Sequence, residues 1–299
     1  MTITSILITL SAPLLISLSA ITAKTIVRFR ICSSAYTGWG TGMACGILSL
    51  ILVAATRTPF PTESAAPMAG LVVLNVAALW LLNRGIQEGD VSTVMPIMGM
   101  KTPFAALLSF LLLGERHGAA VYAAVVISAI AVLIFGAGKQ ATAQGGHGSK
   151  PVVAILFALA AALGYCLADI CARTAMRSAS PFTVITWSWI FSGMICGAML
   201  AHQSFRQYRV AKIDVLLFGI NGALMISGIG MLFLSFKRME SVTLPNVIFG
   251  LRGVFTLAGG YVLSRALGLT IEKQPTRIYA LRLVGTALIT LSIVLIILQ

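Results

Sequence analysis

Apolar residues along this chain fill whole stretches instead of alternating with polar ones. The runs fall at about 3–23, 35–55, 67–83, 91–113, 118–138, 151–172, 181–201, 214–236, 241–263 and 279–298. In hydrocarbon every backbone N–H and C=O must be satisfied by the protein itself, which leaves helices or closed barrels. A barrel strand would appear as an alternating segment of roughly ten residues. Runs of about twenty residues match the helix length that crosses a hydrocarbon core of roughly 30 Å. The pattern therefore predicts an all-α integral membrane protein with ten transmembrane helices. The first run, Ile3 to Ala23, lacks a basic leading segment and is longer than the apolar part of a signal peptide, so it reads as the first helix.

The polar positions divide the chain. Most links are short and carry turn or charged residues, as in Arg28-Phe29-Arg30, Thr58-Pro59-Phe60-Pro61 and Gly114-Glu115-Arg116-His117. The longest, Lys139 to Lys150, reads KQATAQGGHGSK and has the composition of a flexible linker. It separates residues 1–138 from residues 151–299, and these halves match each other at an offset of 149 to 151. Ala23-Lys24-Thr25 and Arg28 match Ala172-Arg173-Thr174 and Arg177. Gly42-Met43-Ala44-Cys45-Gly46 matches Gly193-Met194-Ile195-Cys196-Gly197. Gly99-Met100-Lys101-Thr102-Pro103-Phe104 matches Gly250-Leu251-Arg252-Gly253-Val254-Phe255, and Val121-Tyr122-Ala123 matches Ile278-Tyr279-Ala280 at a larger offset. Each half holds five helices, an odd number, so the second copy must enter the membrane from the opposite side. Such inverted-topology repeats are an architecture of secondary transporters, with the binding site near the midplane between the repeats.

Composition agrees with the pattern. The 299 residues are 58% hydrophobic and 10% charged, against about 25% charged in a soluble domain. The net charge of +13 comes mostly from Lys and Arg in short links, which reads as membrane-flanking charge. No basic tract is long enough to grip a nucleic-acid backbone. The odd-numbered links carry twelve Lys and Arg residues and the even-numbered links six, which by the positive-inside rule favours termini on the outer side. Five cysteines without CxxC spacing (Cys32, Cys45, Cys166, Cys171, Cys196) give no disulfide framework or metal site, and the three histidines (His117, His147, His202) form no cluster. Trp39, Trp80, Trp187 and Trp189 read equally as interfacial anchors or internal packing. Glu88 and Asp90, the close acidic pair, read as ordinary acids at a helix start. A membrane-embedded transferase would want paired carboxylates or a metal at one interface. Without a Walker motif or HExxH, the expectation is a carrier and not an enzyme, with no cofactor.

The stretch Val91 to Gly118, VSTVMPIMGMKTPFAALLSFLLLGERHG, has a Pro in the fourth run, Pro103, and Gly114-Glu115 at its end. In this it resembles the drug/metabolite transporter superfamily in its ten-helix form with two EamA-type domains. More loosely, Lys101 to Glu115 and Ser241 to Val254 are similar to the nucleotide-sugar and triose-phosphate branch. The second half departs from the pattern, with Arg265-Ala266 where Gly-Glu would fall. The resemblance implies alternating access around a central cavity, a small metabolite as cargo, and cytoplasmic termini, in the inner (plasma) membrane if the protein is bacterial.

Lys101 and its repeat mate Arg252 fall ten and eleven residues into their runs. A charge that deep costs roughly 2.5–3.5 kcal/mol on insertion scales and marks a functional site by default. Two cations facing one cavity would be relieved by an anion between them. The expectation is an anionic substrate, phosphorylated or carboxylate-bearing, held by Lys101 and Arg252 with Gly99 and Gly250 leaving room beside them. An amino acid or amphiphile held through its carboxylate is the alternative. Asn75 and Asn221 are polar groups of the third and eighth runs, read either as interhelical hydrogen bonds or as substrate contacts. Asp169 lies deep in an apolar run with Arg173 four residues on, which reads as a same-face pair; the sharper reading is a proton-coupling carboxylate. Arg282 in the last run and the kink-forming Pro96 and Pro103 complete the coupling and gating candidates. Gly38, Gly42 and Gly46, with Gly193 and Gly197, have the GxxxG spacing of close helix packing. The expected partners are a small-molecule substrate, the bilayer, and a coupling proton or counter-substrate, with oligomeric state open.

Overall fold

The computed structural model describes residues 3–30, 34–88, 94, 97–140, 151–202, 212–252, 254–255, 258–259, 284–285, 287–288, 291–292 and 295. The described residues are helical or in short turns and links and form no strand. Nine α-helices are described: α1 (Ile3–Arg30), α2 (Ser34–Thr56), α3 (Ala65–Glu88), α4 (Lys101–Leu108), α5 (Ala119–Gln140), α6 (Pro151–Ala175), α7 (Pro181–His202), α8 (Lys212–Met239) and α9 (Thr243–Phe249). Six described helices are long and apolar enough to cross a membrane. The chain is an integral membrane protein. Its outward faces carry large apolar side chains such as Leu7, Val73, Leu111, Val152 and Met194, each more than half exposed without a bilayer around it and suited to lipid contact.

The helices outrun the apolar stretches. α1 continues to Arg30 and α3 to Glu88, because a few polar residues at a helix end still gain intrahelical bonds in the interfacial zone. Glu88 is accordingly the last residue of α3 and not an acid at a helix start; Asp90 lies outside the described residues, as do most of the linker and most of the last run. At 284–285, 287–288, 291–292 and 295 that run is helical, and Ser128 of α5 donates to Ser292 at 2.9 Å.

The fourth run is not one regular helix. A 3-10 turn at Met98–Met100 leads into α4, and a π turn at Ser109–Leu113 follows it. Gly114 closes the segment with φ +69°, which glycine adopts without strain. Pro103 sits in the first turn of α4, where no intrahelical partner awaits its missing N–H. The segment's irregularity lies in the 3-10 and π turns on either side of α4. Pro96 lies outside the described residues.

Packing follows a regular scheme. α1 runs along α8, α3 along α6 and α2 along α7; α4 also rests on α6, α9 on α1, and α4 on α9. Exchanging each helix with the one five places on leaves this set of pairings unchanged. At the α2–α7 crossing a Cβ added to Gly46 would lie 2.7 Å from Gly193 Cα, and one added to Gly193 would lie 2.5 Å from Gly46 Cα. Only glycine permits this approach. The GxxxG spacing is thus used inside the bundle. The tryptophans divide: Trp39 and Trp189 are buried, while Trp80 carries the Arg84 guanidinium over its ring and Trp187 donates to Pro59 O at 3.2 Å.

Candidate functional site

Lys101 is the first residue of α4, and its side chain leaves the helix where the backbone passes from 3-10 to α geometry. Its Nζ lies 2.7 Å from Asp169 Oδ2 on α6, and the two side chains are 12% and 9% exposed. The same carboxylate oxygen accepts a bond from Asn246 Nδ2 of α9 at 2.9 Å, while Asn246 also donates to Val242 O at 3.0 Å. Three helices therefore meet in one charge-assisted network, with the oxygen bridging a cation and an amide.

One turn further along α9 lies Phe249, which is buried. Lys101 Nζ lies 5.7 Å from its ring centroid and Arg252 Cζ 5.2 Å. Both cations thus lie within cation–π range of one ring, each contact worth roughly 0.5–2 kcal/mol. Arg252 also lies in the electrostatic field of Asp169 and Tyr165. Its backbone carbonyl accepts from Ser17 Oγ of α1 at 2.9 Å. Tyr165 precedes Asp169 by four residues on α6, which puts both on one face.

The pairing of Asp169 with Arg173 expected from their spacing is corrected: the carboxylate turns to Lys101 and Asn246. A neighbour on another helix wins because Lys101 lacks an acid on its own helix and is largely buried, whereas Arg173 lies in the last turn of α6. Gly99 lies in the 3-10 turn before Lys101, and Gly250 caps α9. Asn75 is half-buried on α3, away from the network's described bonds. Arg282 lies outside the described residues.

Asn221 belongs to a different cluster. Ser19 of α1 donates to its Oδ1 at 2.6 Å, and its Nδ2 donates to Thr41 of α2 at 2.8 Å. It ties three helices together through neutral interhelical bonds.

A third polar cluster lies at the end of the fourth segment. Glu115 accepts from Ser241 Oγ at 2.9 Å and from the Val242 N–H at 3.0 Å, and lies 3.3 Å from His117 Nε2. Burial pushes its carboxyl up, but the bonds from His117, Ser241 and Val242 outweigh this and hold it below its ordinary value of 4.5. A carboxylate from the first half thus caps the start of α9 in the second.

Sequence reasoning missed Asn246, Phe249 and Tyr165. A signal existed for two of them: Asn246 is a polar residue inside an apolar run, and Tyr165 sits one turn from Asp169. Phe249 is one apolar residue among many and carries none.

Comparison with known proteins adds a name for part of this arrangement. Residues 3–137 match the EamA-like transporter family. The EamA-like region runs from α1 into α5 and contains Lys101 and Glu115 but not Asp169, Asn246 or Arg252. Together with the apolar helices it supports a membrane transporter of the drug/metabolite kind. A solved crystal structure, described only as that of a protein, is similar with a TM-score of 0.70 at 17% identity, covering 100% of this chain and 98% of that one. At that identity the likeness speaks to the fold alone, and it extends over both halves. No curated protein matches significantly.

Proposed function

We propose that the chain is a secondary active transporter that moves a small anionic metabolite across the membrane by alternating access, with Lys101 and Arg252 holding the anion. The observation that carries this reading is the convergence of both cations on the Phe249 ring, where helices of the two halves meet. Intramembrane charge at such a place is costly and marks a substrate path. Ten helices in two inverted five-helix repeats are the architecture proposed with it. The exchange-symmetric pairing of α1 with α8 and α6 with α3 supports that architecture, as do the internal matches between residues 1–138 and 151–299.

Asp169 favours a second reading within the same class. Its carboxylate beside two cations would suit a substrate bearing an ammonium as well as a carboxylate, such as an amino acid. Arg offers a planar fork to the anion and Lys a point charge, and neither reading needs catalysis. The test is a thermal-shift screen of purified protein against sugar phosphates, nucleotide sugars, carboxylates and amino acids, followed by flux into proteoliposomes. The expected result is stabilisation by an anionic compound that is lost in Lys101→Gln and Arg252→Gln. Normal transport of that compound by either variant would overturn the assignment.

A further inference from the structure

At one end of the bundle the two halves are tied to each other at two places. Ser64, in the link between α2 and α3, donates to Ala175 O at 3.0 Å and lies 2.7 Å from Ser178 Oγ in the link between α6 and α7. Lys237 in the last turn of α8 donates to Ala179 O of that second link at 3.2 Å. Between the fourth segment and α9 a closer set forms, in two tiers. Ser109 and Thr243, both fully buried, share a hydroxyl hydrogen bond at 2.7 Å. Glu115 accepts from Ser241 Oγ and from the Val242 N–H. The tiers are coupled through the backbone, because Ser109 O accepts from the N–H groups of Gly114 and Glu115.

The backbones behind the two ties differ. α2 and α7 are long helices held together by the Gly46–Gly193 approach. Ser109 instead opens a π turn, and Gly114 behind it has φ +69°, with no atom within 4 Å of where a Cβ would lie. π turns inside helical segments recur at functional sites, and hinges are residues at the ends of elements. The facing helix, α9, is seven residues long. The same two segments carry the Lys101 network. Ser109 follows Lys101 by eight residues, about 12 Å along a helix, and Asn246 follows Thr243 by three. Any rearrangement of Lys101, Asp169 and Asn246 therefore pulls on both tiers.

We infer that residues 109–115 and 241–243 form a gate at this end of the carrier, closed in this structure, with Glu115 as its latch. This deepens the proposed function and rests on its reading of alternating access. Opening separates the π turn from the start of α9, while the Ser64–Ser178 tie stays shut. The inner tier is a single neutral bond. The outer tier is charge-assisted, since Glu115 is ionised near neutral pH, and it carries most of the hold. Ser241 and Val242 are consecutive, so one displacement at the start of α9 releases both of their bonds to Glu115 together.

The experiment uses the full-length protein in lipid nanodiscs, with no solute added. Ala105, fully buried on α4 one turn inside Ser109, is replaced by cysteine. Its reaction with a charged maleimide is timed at pH 7.5, and the same chain without Ala105→Cys supplies the background from the native cysteines. Slow labelling is expected with the latch intact. Glu115→Ala is expected to raise the rate about tenfold, the ratio that 1.4 kcal/mol supplies. Ser241→Ala and Glu115→Gln are expected to raise it less, and Ser64→Ala, which cuts the other tie, to leave it unchanged. If Glu115→Ala does not yield folded protein, Ser241→Ala and Glu115→Gln still decide. Labelling that stays slow in every latch variant overturns the gate and is what a merely structural cap would give. Labelling with the latch intact as fast as that of an exposed cysteine overturns it too. An equal rise in Ser64→Ala overturns the confinement of the opening to the π turn and α9. None of these outcomes involves an anion, so each leaves the roles of Lys101 and Arg252 to the flux measurement. Absent flux with the gate results as expected would overturn the transport reading alone.

Discussion

Where α2 crosses α7, the two halves of the chain touch through Gly46 and Gly193, backbone against backbone. Where α4 meets α9 on α6, they touch through Lys101, Asp169, Asn246, Phe249 and Arg252. The first contact is uncharged and its energy is dispersion between closely fitted surfaces. The second is a set of buried charges that stabilises only while every member keeps its partner. The same pair of half-chains is thus joined once by fit and once by charge balance, and only the second joint offers groups that a solute could compete for.

The largest expected effect breaks the charged joint from one side. Lys101→Met leaves the Asp169 carboxylate buried without its cation and is expected to cost about 3–5 kcal/mol of stability. Adding Asp169→Leu should recover most of that, because a fitted apolar pair replaces the ion pair at little net cost. Denaturant or thermal unfolding in detergent reads both; full additivity of the two single losses would show that the groups are not coupled.

The fitted joint responds to size instead. Gly46→Leu forces α2 and α7 apart and is expected to cost about 1–3 kcal/mol or more, with Gly46→Ala smaller in the same direction. No partner change elsewhere in the polar network should rescue it. Unchanged melting of Gly46→Leu would place the crossing elsewhere.

Asn221 is an intermediate case, polar but uncharged. Asn221→Leu removes its bonds with Ser19 and Thr41 and is expected to cost about 1 kcal/mol, with solute binding retained. Loss of binding at unchanged stability would move Asn221 into the substrate path.

An effect of the same size, but confined by pH, belongs to Glu115, which links the halves outside the spanning segments. Its folded-state pKa lies below the ordinary value of 4.5. The stability it contributes is therefore fully present above that value and is lost as pH falls through the lower folded-state value. Glu115→Gln is expected to remove about 1 kcal/mol near neutral pH and to flatten the acid limb of a stability–pH profile. Parallel profiles for variant and wild type would exclude the contribution.

Much of the fold was legible because hydrocarbon imposes one rule on every residue of a span. Runs of apolar residues had to become helices, and the glycine spacing of α2 and α7 had to pack closely. The site was legible only in part. Lys101 and Arg252 stood out because charge is rare in such runs and both stood at matching places. Asp169 stood out for the same reason, but its partner did not: spacing along one helix pointed to Arg173, while the pairing that forms is set by how α4 and α6 lie side by side. Phe249 stayed hidden because an aromatic ring in an apolar run has no contrast with its surroundings. Its proximity to two cations is a property of three-dimensional arrangement alone.

The Gly46–Gly193 contact also has a mechanical consequence. Added Cβ atoms at these positions would lie 3.1 Å from Trp189 O and from Gly42 O respectively, so each glycine faces a backbone oxygen of the opposite helix. Such contacts hold mainly through proximity and weak C–H···O attraction. Their energy rises steeply if the axes separate by an ångström, yet changes little when one helix swivels on the other by a few degrees. The crossing therefore behaves as a bearing, stiff in tension and soft in torsion.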